Sequence, residues 1–222
     1  MAVQKLRVAI IGCGAAGAAA AVFLKREGHE VVAFEQAPVC RAVGAGFLLQ
    51  PSGMDVLKEL GIYEEVISHA SKVSRLHVME KDGCDLMELN YGELGNEFFG
   101  AGLHRPVVMG ALIDLMEQEG VEIRWGSRIE TAQKLPDGWE VEGERYDLLL
   151  VADGARSAMR RALLGEGYDK GYGWGAHWFI GKNNGVFPEG DLHQIVSGTR
   201  KLAGFLLLEE SGEPSRDRVK SW

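Results

Sequence analysis

The opening of the chain constrains its fold more than any other feature. Leu6 to Ile11 is a short run rich in Val and Ile, as a strand buried on both faces requires. Gly12-Cys13-Gly14-Ala15-Ala16-Gly17 follows directly. Ala15 to Glu27 then reads as a helix, with Ala18 to Ala21 its strongest helix formers, and Gly28-His29 ends it. Glu30 to Phe34 is a second β-branched strand, closed by Glu35. A strand, G-x-G-x-x-G, a helix, a strand and an acid in that order form the βαβ unit that binds dinucleotides. Gly12 permits the tight turn, Gly14 lets the backbone approach a pyrophosphate, and Gly17 lets helix and strand pack closely. The helix start at Ala15 and Ala16 offers unpaired N–H groups and a partial positive charge to that pyrophosphate. Glu35 can accept hydrogen bonds from ribose hydroxyls. A carboxylate there favours an unphosphorylated ribose, hence FAD or NAD over NADP as the tightly held ligand.

Composition narrows the alternatives. A length of 222 residues allows one large domain or two small ones. With 24 basic against 32 acidic residues, the net charge of −8 argues against a general nucleic-acid binder, which would show a basic face. Cys13, Cys40 and Cys84 are far apart with no C-x-x-C, which speaks against a zinc knuckle and reads as free thiols in a reducing, cytoplasmic setting. Val8 to Leu24 is uncharged and follows Lys5 and Arg7, a pattern shared with signal peptides. It is short and Gly-rich for a membrane span, and the βαβ reading explains it better, so no membrane partner is expected.

Further along, Arg41 precedes Gly44 and Gly46, which suggest backbone passing close to a ligand. Ser52 is placed to cap a helix running to about Leu60, stopped by Gly61. Val73 to Glu80 and Cys84 to Leu89 alternate around Lys81-Asp82-Gly83, a β-hairpin pattern, and Tyr91 to Leu103 reads as a loop or short strand. Pro106 suits the first turn of a helix to about Glu119, with Leu112, Leu115 and Met116 on its buried face. Arg105 at that helix start is a candidate phosphate or ribose ligand. Val121 to Trp125, Ser127 to Gln133, Trp139 to Glu142 and Tyr146 to Ala152 read as strands, the last apolar enough to be buried on both faces. Asp153-Gly154-Ala155-Arg156-Ser157 closes it, and Ser157 caps a helix to about Leu164.

Taken together these residues resemble the FAD-dependent aromatic hydroxylases, the class A flavoprotein monooxygenases of the p-hydroxybenzoate and salicylate hydroxylase type, over about residues 6 to 208. The first fingerprint matches Gly12 to Gly17 with Glu35. The family's Arg before a Gly-x-Gly segment matches Arg41, and the Arg opening the helix after the first hairpin matches Arg105. The second fingerprint matches Asp153, Gly154, Arg156 and Ser157, and in the family is associated with both FAD and NAD(P)H. The resemblance implies an α/β fold: a Rossmann-like FAD-binding domain, with a parallel sheet, helices and a β-meander, plus part of a mixed β-sheet substrate domain. The expected division is 1–72 with 101–166 for the former and 73–100 with 167–222 for the latter. It also implies FAD, reduced by NADH or NADPH, and a flavin C4a-hydroperoxide formed with O2 that hydroxylates an aromatic small molecule, in a chain that can form a homodimer. Since the cofactor carries the difficult chemistry, no protein nucleophile or general base is named.

The chain departs from that family in one respect. The third fingerprint, Gly-Asp followed by a short helix with His and Pro, is not found. Gly190-Asp191-Leu192-His193 is a decoy within what reads as a strand, Asp191 to Ser197. Trp174 to Leu208 resembles the substrate-domain sheet, where Trp174, His177, Trp178 and Phe179 are expected as sheet residues or pocket lining. A chain shortened at its C-terminal end is the expectation. The alternatives are a non-catalytic dinucleotide-binding module and an NAD-dependent dehydrogenase without flavin.

Overall fold

A computed structural model describes residues 4–40, 46–165, 167 and 171–208. In chain order its elements are β1 (Arg7–Ile11), α1 (Ala15–Arg26), β2 (Glu30–Glu35), β3 (Gly46–Leu49), α2 (Pro51–Leu60), α3 (Tyr63–Ile67), β4 (Ser71–Val73), β5 (Arg75–Glu80), β6 (Asp85–Asn90), β7 (Gly100–His104), α4 (Arg105–Gln118), β8 (Glu122–Trp125), β9 (Gln133–Leu135), β10 (Gly138–Val141), β11 (Glu144–Tyr146), β12 (Leu148–Val151), α5 (Ala158–Leu164), β13 (Asp191–Ser197) and β14 (Lys201–Leu206). They group into two compact units, Met1–Ala42 with Met109–Ala176 and Val43–Val108 with His177–Trp222.

The first unit is built on a parallel sheet of order β12-β1-β2-β8. The apolar runs of β1 and β2 account for its centre: Val8, Ala9, Ile10, Val31, Val32, Ala33 and Phe34 are all buried. Helix α1 lies against these strands through Gly17, Ala18, Ala21 and Val22, small residues that permit a close approach. Ile11, Phe34, Val141, Tyr146 and Met159 form one core cluster, which joins the sheet to the meander β9-β10-β11. The Phe34 and Tyr146 rings meet edge to face at 6.1 Å. Burying a side chain such as Phe34 is worth about 1.5–3 kcal/mol.

Two expectations fail here. Tyr146 to Ala152 is not one strand buried on both faces. It breaks at Asp147, whose carboxylate accepts the Arg7 N–H at 2.6 Å. Leu148 is 40% exposed because β12 is the outer strand of the described sheet. Ser127 to Gln133 is not one strand either: 127–132 lie outside any strand, and Gln133 is the first residue of β9. The amides of Gly126 and Ser127 donate to the carbonyls of Ala37 and Glu35 (both 2.9 Å), so the chain here is tied to the end of β2 instead of entering a ladder.

The second unit holds a mixed sheet of order β14-β13-β5-β6 and an antiparallel sheet of order β3-β7-β4. The hairpin β5–β6 forms as its alternation predicts, with a bulge at Val78/Met79. Gly61 closes α2 in the left-handed region, φ 80°. Ser52 does not cap that helix. Pro51 takes the first helical position and Gln50 stands at the N-cap, because Pro's missing N–H and fixed φ suit that first position. Asp191 opens β13 and is bound by the Arg75 guanidinium, so Gly190-Asp191 is indeed a strand start. Trp174, His177, Trp178 and Phe179 are exposed and lie outside any strand or helix, neither sheet face nor enclosed pocket. Among the described residues no helix is long and apolar enough to cross a membrane.

Candidate dinucleotide site

Three strand ends of the first unit converge. Strands β1, β2 and β12 run parallel, with Ile11 opposite both Phe34 and Val151. Their carboxyl ends therefore deliver Gly12, Glu35 and Asp153 to one edge of the sheet, where open α/β sheets bind ligands. Gly12 has φ +100° and donates its N–H to the Phe34 carbonyl at 2.7 Å. A Cβ built on it would stand 2.5 Å from the Ala152 oxygen and 2.9 Å from the Asp153 Cα. The two fingerprints, so distant in the chain, thus touch through backbone.

Gly14 is extended and stands at the N-cap of α1, with no side-chain cap and no acid in the first turn. Gly14, Ala15 and Ala16 are exposed. The first N–H groups of the helix thus lack intrahelical acceptors and face solvent at the positive end of the dipole, an arrangement suited to an anion. A Cβ on Gly14 would meet nothing within 4 Å, whereas one on Gly17 would lie 1.9 Å from the Gly12 oxygen. The two glycines therefore serve different ends: Gly17 packs helix on strand, and Gly14 leaves room on the ligand side.

Glu35 is half-buried at the end of β2. Its Oε2 accepts the Cys13 N–H and its Oε1 the Ala37 N–H, both at 2.9 Å. Each oxygen keeps lone-pair capacity for a ribose hydroxyl. Sequence reading missed the part played by the Cys13 and Ala37 amides, since a backbone donor leaves no mark in side-chain pattern. Asp153 accepts the Met159 N–H at 3.4 Å, Gly154 sits at φ +84°, and Ser157 caps α5 by accepting the Arg160 N–H at 2.8 Å. Burial pushes the Cys13 thiol up to about 12, with Glu35 and then Cys40 adding to the effect, so this sulfur is packing and not a nucleophile.

The structure thus brings together Gly12, Gly14, Ala15, Ala16, Gly17, Glu35, Asp153 and Gly154. Arg105 is exposed at the first position of α4, in the second unit, and Arg41 lies outside the described residues. Arg7, at the amino end of β1, and Arg124, opposite Phe34 in β8, both bind Glu144, which holds that carboxyl at about 2, Arg124 contributing first. Among the described residues no group of three or more His, Cys, Asp or Glu is arranged to hold a metal ion.

An open helix start, a glycine with free space over it and a carboxylate with spare acceptor capacity fit the ADP half of a dinucleotide. A family model described as an FAD binding domain matches residues 5–177. The 3-amino-4-hydroxybenzoate 2-monooxygenase of Streptomyces cremeus is 29% identical over 170 residues, covering 72% of this chain and 43% of its own. The FAD-dependent monooxygenase OpS4 of Beauveria bassiana is 30% identical over 172 residues, covering 72% and 40%. Among solved structures, PqsL of P. aeruginosa in complex with 2-aminobenzoylacetate aligns with TM-score 0.60 at 31% identity, covering 72% of this chain and 46% of that one. CtdE in complex with FAD aligns with TM-score 0.60 at 25% identity, covering 73% and 42%. The chain spans less than half the length of these proteins.

Proposed function

The chain belongs to the FAD binding domain family, and we propose on that footing that it carries the cofactor-holding part of an FAD-dependent monooxygenase acting on an aromatic small molecule. The observation that supports this most is the open N-terminus of α1 beside Glu35 at the shared carboxyl edge of β1, β2 and β12. In this reading Gly14 and the first-turn amides hold the pyrophosphate, and Glu35 binds the adenosine ribose through its hydroxyls. The backbone at Asp153 and Gly154 lines the approach beyond Gly12, and the family resemblance makes Arg41 and Arg105 the candidates for charge on the cofactor's phosphates or ribose. When bound, FAD supplies the redox chemistry, accepting hydride from NADH or NADPH and activating O2 for aromatic hydroxylation. The named relatives, a hydroxybenzoate monooxygenase among them, support an electron-rich aromatic ring as substrate.

The second reading is a dinucleotide-binding module without turnover, supported by an arrangement at Gly14 and Glu35 that fits the ADP half of a dinucleotide. A visible spectrum of the purified chain after incubation with FAD and desalting tests the binding step. A retained flavin spectrum is expected. A folded but colourless protein would overturn the FAD reading. Should flavin be retained, oxidation of NADH or NADPH stimulated by phenols separates the enzyme from the module. Its absence across a panel of hydroxybenzoates sinks the catalytic proposal.

A further inference from the structure

We propose that Glu35 is a positioning residue for the glycine loop, holding Gly12–Gly14 in its ligand-ready shape before any cofactor arrives. The proposal rests on the reading of this edge as a dinucleotide site, and goes beyond ribose recognition. Its basis is the pair of backbone bonds already described: Cys13 N–H to Oε2 and Ala37 N–H to Oε1, both 2.9 Å. One carboxylate thereby ties the loop after β1 to the turn after β2.

The loop needs such a tie. It contains Gly12 at φ +100° and Gly14 in extended backbone, and glycine loses more freedom on ordering than any other residue. Its other backbone anchors are Gly12 N–H to Phe34 and the Gly14 carbonyl accepting from Ala18, one at each end of the loop. Between them, among the described residues, the Cys13 amide fixes the plane of the Cys13 peptide by donating to a carboxylate, the stronger class of hydrogen bond. Both oxygens retain lone pairs, so ribose can bind without breaking the tie. The consequence is that Glu35 contributes to pyrophosphate binding, which it does not touch, by sparing the loop its ordering cost when the ligand arrives.

Gln retains one acceptor oxygen but turns an NH2 toward the second backbone N–H. Asp keeps the charge but is one methylene too short to reach both amides. The test is residue-resolved amide hydrogen exchange of the FAD-free chain in wild type, E35Q and E35D. Exchange at Cys13 and Ala37 should rise by about tenfold to a hundredfold in the variants, with amides within β1 and β2 unchanged. Binding of 2′,3′-dideoxyadenosine diphosphate, which offers no ribose hydroxyl to Glu35, should weaken in E35Q by several fold. Unchanged exchange at Cys13 and Ala37, together with normal dideoxy-nucleotide binding, would overturn the proposal and leave Glu35 as a ribose ligand alone. If E35Q loosens every amide of β1 and β2 alike, E35D decides between loop and sheet. Global loosening there as well refutes a local tie. Failure of the wild type to bind FAD would remove the cofactor reading, while the exchange result would still report whether Glu35 holds the loop.

Discussion

Substituting Gly17 by Ala isolates the packing of α1 on β1. The new Cβ would stand 1.9 Å from the Gly12 oxygen and 3.3 Å from the Ala152 Cβ, where even 3.0 Å forces a shift. Helix and loop must part by about 1 Å, and the atom in the way is backbone, so no rotamer change relieves it. Overpacking of this kind costs about 1–3 kcal/mol, and a backbone obstacle puts it at the upper end. Replacing Gly inside a helix returns about 1 kcal/mol. The net loss is about 2 kcal/mol, which for a chain of this size lowers the melting temperature by about 4–8 °C. Differential scanning fluorimetry without FAD measures it. Gly14→Ala is the control: extended backbone and nothing within 4 Å limit its cost to about 1 kcal/mol. Its FAD affinity should nonetheless fall at least tenfold, because the methyl occupies the ligand side. A G17A protein that melts with wild type, or a G14A protein that loses as much stability as G17A, would refute the division of labour between these glycines.

Three further outcomes follow from the described contacts. Glu144 is held at about 2 by Arg124 and Arg7, below its usual range, so its contribution is present above pH 4.5 and lost as pH falls toward 2. Acid titration of stability should therefore be flatter in E144Q than in wild type between those limits. Ser157→Ala removes the α5 cap and should cost about 1 kcal/mol by urea denaturation, with Ser157→Asn largely restoring it. In thiol labelling at pH 8, exposed Cys84 should react first and buried Cys13, whose thiol is pushed up to about 12, only on unfolding.

The first unit's ligand edge was legible because local patterns there agree with tertiary demand. The Gly12–Gly17 spacing, the β-branched runs and the Ser157 cap all carry their structural role in side-chain identity. What was not legible depended on distant backbone. The break at Asp147 comes from Arg7, 140 residues away in sequence, and no window around Tyr146 to Ala152 contains that partner. The stretch after Gly126 alternates like a strand, yet its amides are claimed by the end of β2. Ser52 was a sound cap by residue type, but its neighbour Pro51 holds the first helical position. Glu35 was found as an acid closing a strand, while its two backbone donors carry no residue-type signature.

The contact of Gly12 with Ala152 and Asp153 also dictates a chronology. During synthesis the first fingerprint emerges ahead of its partner, and its turn has nothing to close against until the segment ending at Gly154 has been made and β12 has paired with β1. Closing so long a loop carries an entropic cost of about 4 kcal/mol beyond a constant. The glycine turn is thus translated well before the segment it closes against and acquires its final shape only once that segment has paired. Any cofactor that relies on it is loaded late, onto a nearly finished sheet.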